Sequence, residues 1–432
     1  MAPAFEIERL EGKREGKNML KKSNKLFVAL GYLISLVTGM QTAGYQYIII
    51  SMRDEFSLSN AGMAALGSVQ SVVGLLMSLV FSRFIDHVDK RKLMLIGVGV
   101  YVMGCLFNGL SSGPAMTIAA LVIAGVGGNV ITTALYPALT STDPQNSNKY
   151  TNMLQVFYGA GAMLAPVLLS VLMGNLRMNW RGHYLIISCT MLLMLGLSAL
   201  VQPETSMRLQ KVVQVSQHAQ APVFQKIYKT AAFWLLSLCI GFYMCMETGL
   251  MNYARQYFEA MGDSKSAGLA ISVAWGLMLP TRFMASKMKR HKGKMVCISF
   301  VFAGLAMLPM ALLRIPVFSL IWCALFGLFS GPGLPTILSI GMVTFPRQSG
   351  KAYSLICIGS GLGAMLGNLM VGRVVDIVGI GDAFYLVAAF AVAGLAAGYF
   401  GIRASYQQRK KDDAKEAAFL KEMSQEEQKE EG

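Results

Sequence analysis

A single carboxylate, Glu247, stands near the middle of the apolar stretch Phe233–Tyr257 in this chain of 432 residues. An ionised carboxylate at that depth in hydrocarbon costs about 3 kcal/mol, so it must be protonated, paired or turned to a watery cavity. The chemistry it offers is reversible proton binding or a polar grip on a solute. A structural hydrogen bond to a neighbouring helix is the competing reading. Other polar side chains inside apolar stretches are few. Gln41, Tyr45 and Gln46 surround Gly44, Asn129 follows a glycine pair, and Gln155 and Tyr158 stand together. Tyr243 precedes Glu247, Asn252 and Tyr253 follow it, and Trp275 lies in the next stretch. Amides and phenols supply both donors and acceptors, and an indole face stacks on the C–H side of a sugar. The candidate solute-binding set is therefore Gln41, Tyr45, Gln46, Asn129, Gln155, Tyr158, Tyr243, Glu247, Asn252 and Trp275, with Glu247 also the candidate for proton coupling. Polar side chains that join helices to one another are the alternative for each. The seven cysteines form no CxxC pair and the four histidines are scattered. There is no HExxH string, so no metal, cofactor or enzymatic activity is expected.

Long apolar stretches must hold these residues in place. The chain is 54% hydrophobic and only 14% charged, against about a quarter charged in soluble domains. A bilayer core of about 30 Å takes roughly 20 residues of helix. The first six such stretches run about Leu26–Ile50, Gly62–Phe81, Leu93–Ser111, Ala115–Leu139, Tyr150–Gly174 and Tyr184–Val201. After a polar stretch, Gln202–Lys229, the second six run about Phe233–Tyr257, Ser266–Ser286, Lys294–Leu313, Pro316–Phe345, Ala352–Val375 and Ala383–Arg403. They are too long and too uniformly apolar for barrel strands. The expected fold is all-α and polytopic, about twelve transmembrane helices in two pseudo-symmetric halves. Those halves are 26–201 and 230–403, joined by a linker at 202–229 and flanked by a basic tail at 1–25 and a charged tail at 404–432. Inverted or repeated halves of this kind are common in transporters.

The formal charge of +15 does not mark a nucleic-acid binder. Most of the 38 Lys and Arg fall in alternate short connections and in the tails, as at Lys90-Arg91-Lys92 and Arg409-Lys410-Lys411. That bias orients the chain with both termini in the cytoplasm. The expected location is a bacterial-type inner membrane, with lipid as the surroundings. Glycines at small-residue spacing (Gly125, Gly127 and Gly128; Gly159 and Gly161; Gly359, Gly361, Gly363 and Gly367) suit close helix packing.

The connection SRFIDHVDKRKLM resembles the signature loop of the major facilitator superfamily, with Asp86 at the acidic position and Lys90, Arg91 and Lys92 as the basic cluster. Ser82 and Asp89 stand where glycines are usual, and the equivalent loop of the second half, RFMASKMKRHKGKM, has Arg290 in place of the acid. Within that superfamily, TNMLQVFYGAGAMLAP, FYMCMETGLMNYARQYF, the run from Trp275 to Arg282 and GLFSGPGLPTILS are similar to the fucose-permease-like branch. The first helix lacks an acid, and Asn129 and Val130 stand near the place of another. The fucose permease's proton route through its N-terminal half is therefore not matched here. The resemblance implies a secondary active transporter working by alternating access as a monomer on a small polar, sugar-like or organic solute. Protons are the expected coupling ion, through Glu247. It also implies a gating role for Asp86, Lys90, Arg91 and Arg282, with Asp376 a further residue of that kind. An efflux pump for amphipathic compounds on the same fold is the alternative.

Overall fold

A computed structural model describes residues 2–84, 88–140, 147–201, 227–288, 291–345 and 349–430. Asp86, Arg290 and most of the linker lie outside these. All regular structure among the described residues is helical, and twelve helices are long and apolar enough to cross a membrane. The first six are α1 (Ala2–Glu55), α2 (Asn60–Phe84), α3 (Lys90–Gly109), α4 (Pro114–Thr140), α5 (Ser147–Asn175) and α6 (Trp180–Leu200). The second set comprises α7a (Ala231–Met251), α7b (Ala254–Ala260), α8 (Ser264–Lys287), α9 (Lys292–Leu313), α10a (Pro316–Ser330), α10b (Gly333–Thr344), α11 (Ser349–Val378) and α12 (Ile380–Glu430).

Two expected helices are interrupted. The seventh breaks at Asn252–Tyr253, where the Asn252 Nδ2 donates to Asn368 Oδ1 (2.7 Å) and the Tyr253 hydroxyl to the Asn368 carbonyl (3.2 Å). The tenth breaks at Gly331–Pro332, because proline lacks the N–H that would continue the ladder. Both ends of the bundle's sequence also extend further as helix than the apolar pattern required, since α1 begins at Ala2 and α12 runs to Glu430.

Apolar side chains such as Ile96, Leu193, Val317 and Val392 point outward and are well exposed. This is the inverse of a soluble bundle and fits helices solvated by lipid tails. Inside, glycines set the spacing. A Cβ on Gly39 would collide with the Tyr158 carbonyl and one on Gly161 with the Leu36 carbonyl, so α1 and α5 touch backbone to backbone. Gly161→Val should force them apart and cost about 1–3 kcal/mol of stability. The check is the thermal unfolding midpoint in detergent; an unchanged midpoint would mean that this contact yields freely.

The halves meet along two seams, α2 against α11 and α5 against α8. The side where α1 ends and α2 begins is called the Glu55 side below, and the opposite one the Lys90 side.

Candidate functional site

Six candidate residues converge where the two interrupted helices approach the seams. Tyr243 and Glu247 are four residues apart and share one face of α7a; Trp275 and Arg282 are seven apart and share one face of α8. Gln46 comes from α1 and Tyr158 from α5. The Trp275 Nε1 donates to Gln46 Oε1 across the halves (3.0 Å). The Tyr158 ring meets the Trp275 ring edge-on, with centroids 6.2 Å apart. On the other face of this group the Arg282 guanidinium lies 5.4 Å from the Trp275 ring centroid, a cation–π distance. Its Nε donates to the Gly331 carbonyl at the break in α10 (3.3 Å), and the Tyr243 hydroxyl donates to the Ser330 carbonyl (3.1 Å). The phenols of Tyr243 and Tyr158 each lie within electrostatic range of both Glu247 and Arg282. Glu247 itself is 7% exposed. Its Oε2 is buried with no hydrogen-bond partner among the described residues.

The rest of the candidate set lies elsewhere. Gln41 and Tyr45 turn into the first half, where Gly44 is packed on the His183 ring. There the Gln41 Nε2 and Tyr45 hydroxyl are buried, Gln41 beside His183 and Tyr184 and Tyr45 beside Tyr184. Asn129 donates to the Gly125 carbonyl (2.8 Å) and packs on Gly74 of α2. Gln155 is exposed near the start of α5. Asn252 belongs to the α7–α11 contact described above.

On the Glu55 side the seam between the halves is closed by polar contacts, most from residues not among the binding candidates. The Asp376 carboxylate of α11 accepts from the Asn60 N–H (3.0 Å), the Asn60 Nδ2 (2.8 Å) and the Ala61 N–H (2.9 Å), capping the first turn of α2 from the opposite half. Asn60 Oδ1 in turn accepts from Arg53 Nη1 (3.0 Å) and Gln256 Nε2 (2.8 Å). Arg255 of α7b donates to the Tyr47 carbonyl (2.8 Å) and Ser51 Oγ (3.0 Å), its guanidinium 4.5 Å from the Tyr47 ring centroid. Asp376 is the residue of this closure that the sequence had already offered as a gate; Asn60, Arg255 and Gln256 carried no signal beyond polarity at a helix end.

The basic cluster does something local. Arg91 Nη2 donates to the carbonyls of Ser198, Ala199 and Val201 (3.3, 3.1 and 2.7 Å) and so caps the end of α6 within its own half. Asp89, at the atypical glycine position, caps α3 by accepting from the N–H groups of Arg91 (2.9 Å) and Lys92 (3.3 Å). Lys90 opens α3. Arg282 lies at the cluster around Glu247.

A family profile described as Major Facilitator Superfamily matches residues 31–356. The chain belongs to that superfamily. Among its relatives, this superfamily member is 23% identical over 326 residues to an uncharacterised MFS-type transporter, YfkL, of Bacillus subtilis (73% of this chain, 80% of that one). It is 31% identical over 140 residues to the inner membrane transport protein YdiN of Escherichia coli, about a third of each chain (32% and 32%). It is 24% identical over 310 residues to the mouse MFS-type transporter SLC18B1 (68% and 65%). The fold superimposes on a bacterial homologue of the human lysosomal transporter Spinster, solved inward-facing and unoccupied. The TM-score is 0.72 at 14% identity, over 90% of this chain and 98% of that one. The twelve-helix fold is thus that of the superfamily. The glycine-mediated contacts and cross-half caps described above are how this member builds it.

Proposed function

We propose that this transporter moves a small polar solute by alternating access, and that Glu247 carries the coupling proton. The observation that carries the reading is the buried, partnerless Oε2 of Glu247 within a group drawn from both halves. Its neighbours are the aromatic walls Tyr158, Tyr243 and Trp275 and the amide of Gln46. A solute bound there touches both halves, which alternating access requires. The interruptions in α7 and α10 support the same place, since broken helices flank the binding sites of many transporters. The similarity of the segment that carries Tyr243 and Glu247 to the fucose-permease-like branch supports a hydroxyl-bearing or otherwise polar solute.

The Lys and Arg bias makes the Lys90 side cytoplasmic and the Glu55 side external. The polar contacts of Asp376, Asn60 and Arg255 then close the external side. An inner membrane location, cytoplasmic termini and a monomeric working unit belong to this reading.

The test is thermal stabilisation of the detergent-purified protein by sugars, sugar acids, small carboxylates, nucleosides and cationic drugs. A ligand that binds only the folded state raises stability by RT ln(1 + [L]/Kd). A rise confined to one polar class, and lost in Trp275→Ala, supports the reading. A rise with hydrophobic cations alone points to efflux of amphipathic compounds, and no rise with any polar solute contradicts the reading.

A further inference from the structure

The charges in the central site are asymmetric in a way that selects among solutes. Arg282 has five N–H donors. Among the described residues its recorded partners are the Gly331 carbonyl, the Met278 sulfur (3.6 Å) and the Tyr243 phenol. None is an anion, and no ion pair within 4.0 Å joins it to Glu247. Arg282 is half-buried and has no anionic partner of its own. Beside it, α10b begins at Gly333, which packs on the Tyr243 ring. The carbonyl end of α10a meets the same region, where Ser330 and Gly331 accept from Tyr243 and Arg282, so the two half-helix ends offset each other and the guanidinium is the positive charge there. Glu247 supplies the second observation, a buried Oε2 with no hydrogen-bond partner on a carboxylate that otherwise meets the Tyr243 phenol.

A carrier that has released its proton holds Arg282 as a cation and Glu247 as an anion. A neutral solute keeps the sum at zero only with Glu247 ionised, which moves no proton. A cation leaves an uncompensated positive charge, because a guanidinium does not give up its proton. A monoanion restores neutrality once Glu247 is protonated.

We propose, building on the transport reading above, that the solute is a small organic carboxylate held by the Arg282 guanidinium with its apolar body against Trp275 and Tyr158, and carried together with one proton on Glu247. The proton comes from water on the open side, resides on the Glu247 carboxyl while the carboxylate is bound, and returns to water on the opposite side. The cycle is electroneutral and breaks no covalent bond. The titratable and charged groups acting near Glu247 are Tyr243 on its own helix, Tyr158 on α5 and Arg282 on α8. Helices α10, α11 and α12 bring Ser330, Asn368 and Val387 to α7, none of them charged.

The experiment compares benzoate, benzamide and benzylamine, one aromatic body with three charges, as stabilisers of the purified full-length protein at pH 5.5 and 7.5. Benzoate alone is expected to raise the midpoint, and its apparent affinity to strengthen by up to about tenfold per pH unit on acidification, as uptake of one linked proton requires. Glu247→Gln should bind benzoate without that pH dependence, and Arg282→Gln should lose the benzoate shift. Equal stabilisation by benzamide, independent of pH, would overturn the carboxylate while leaving a solute site in place. Stabilisation by benzylamine alone would overturn it in favour of a cation. No stabilisation by any of the three would overturn the carboxylate, and the solute panel above then decides whether the site itself stands.

Discussion

Glu247→Gln is expected to leave solute exchange across a proteoliposome membrane running while abolishing accumulation driven by a proton gradient. The amide keeps the size and hydrogen-bonding capacity of the protonated acid but cannot release a proton. With one proton per solute, a gradient of about two pH units sustains about 100-fold accumulation, since each unit is worth about 1.4 kcal/mol. The variant should show none of that factor while keeping counterflow of unlabelled for labelled solute. Undiminished accumulation would remove the proton from Glu247, and loss of counterflow as well would make the residue a structural or solute-binding one. The residue's burial and the absence of a partner for its Oε2 are what place the expected effect here rather than at Gln155 or Asn129.

The second large effect is expected at the external closure. Asp376 is the one carboxylate in the contacts that draw α2 to α11, and its three hydrogen bonds include two to backbone N–H groups at the start of a helix. Charge-assisted caps of this kind contribute about 2 kcal/mol. Asp376→Ala should therefore shift the balance of inward- and outward-facing states about 30-fold toward the outward one. Spin labels at Asp54 and Lys265, both on exposed surface of the Glu55 side in opposite halves, should report a new population at longer distance. An unchanged distance distribution would show that the seam is held by packing alone. Arg255, which grips Tyr47 and Ser51, is the contact that would then take the larger share.

The twelve spans and the place of Glu247 were legible because both depend on local composition. Twenty-residue apolar stretches have one solution in lipid, and an acid within one is an exception that needs a reason. The pairings Tyr243 with Glu247 and Trp275 with Arg282 were also implicit in helical spacing, so Arg282 could have been assigned to the site rather than to a gate. Which way a neutral polar residue faces was not legible. Gln41 and Tyr45 sit on the same helix as Gln46, yet they turn toward His183 while Gln46 reaches Trp275 across the halves. A helix polar on two sides gives no azimuth. The breaks in α7 and α10 differ from each other in the same respect. Gly331-Pro332-Gly333 announces an interruption, whereas the one at Asn252 follows from a tertiary bond to Asn368, 116 residues away. The external closure joins Asn60 to Asp376 over 316 residues, and contacts of that range leave no trace in local pattern. Asp89 shows how a departure from a family motif can be compensated locally, since the side chain that replaces glycine caps the helix that follows.

The most direct test of proton-coupled solute transport is made on the unaltered protein. It is reconstituted in liposomes loaded with a pH-sensitive dye, and the stabilising solute is added outside with no initial gradient. Acidification of the lumen that needs both protein and solute, and that disappears in Glu247→Gln, is the predicted result. Solute entry with a steady internal pH would contradict the account.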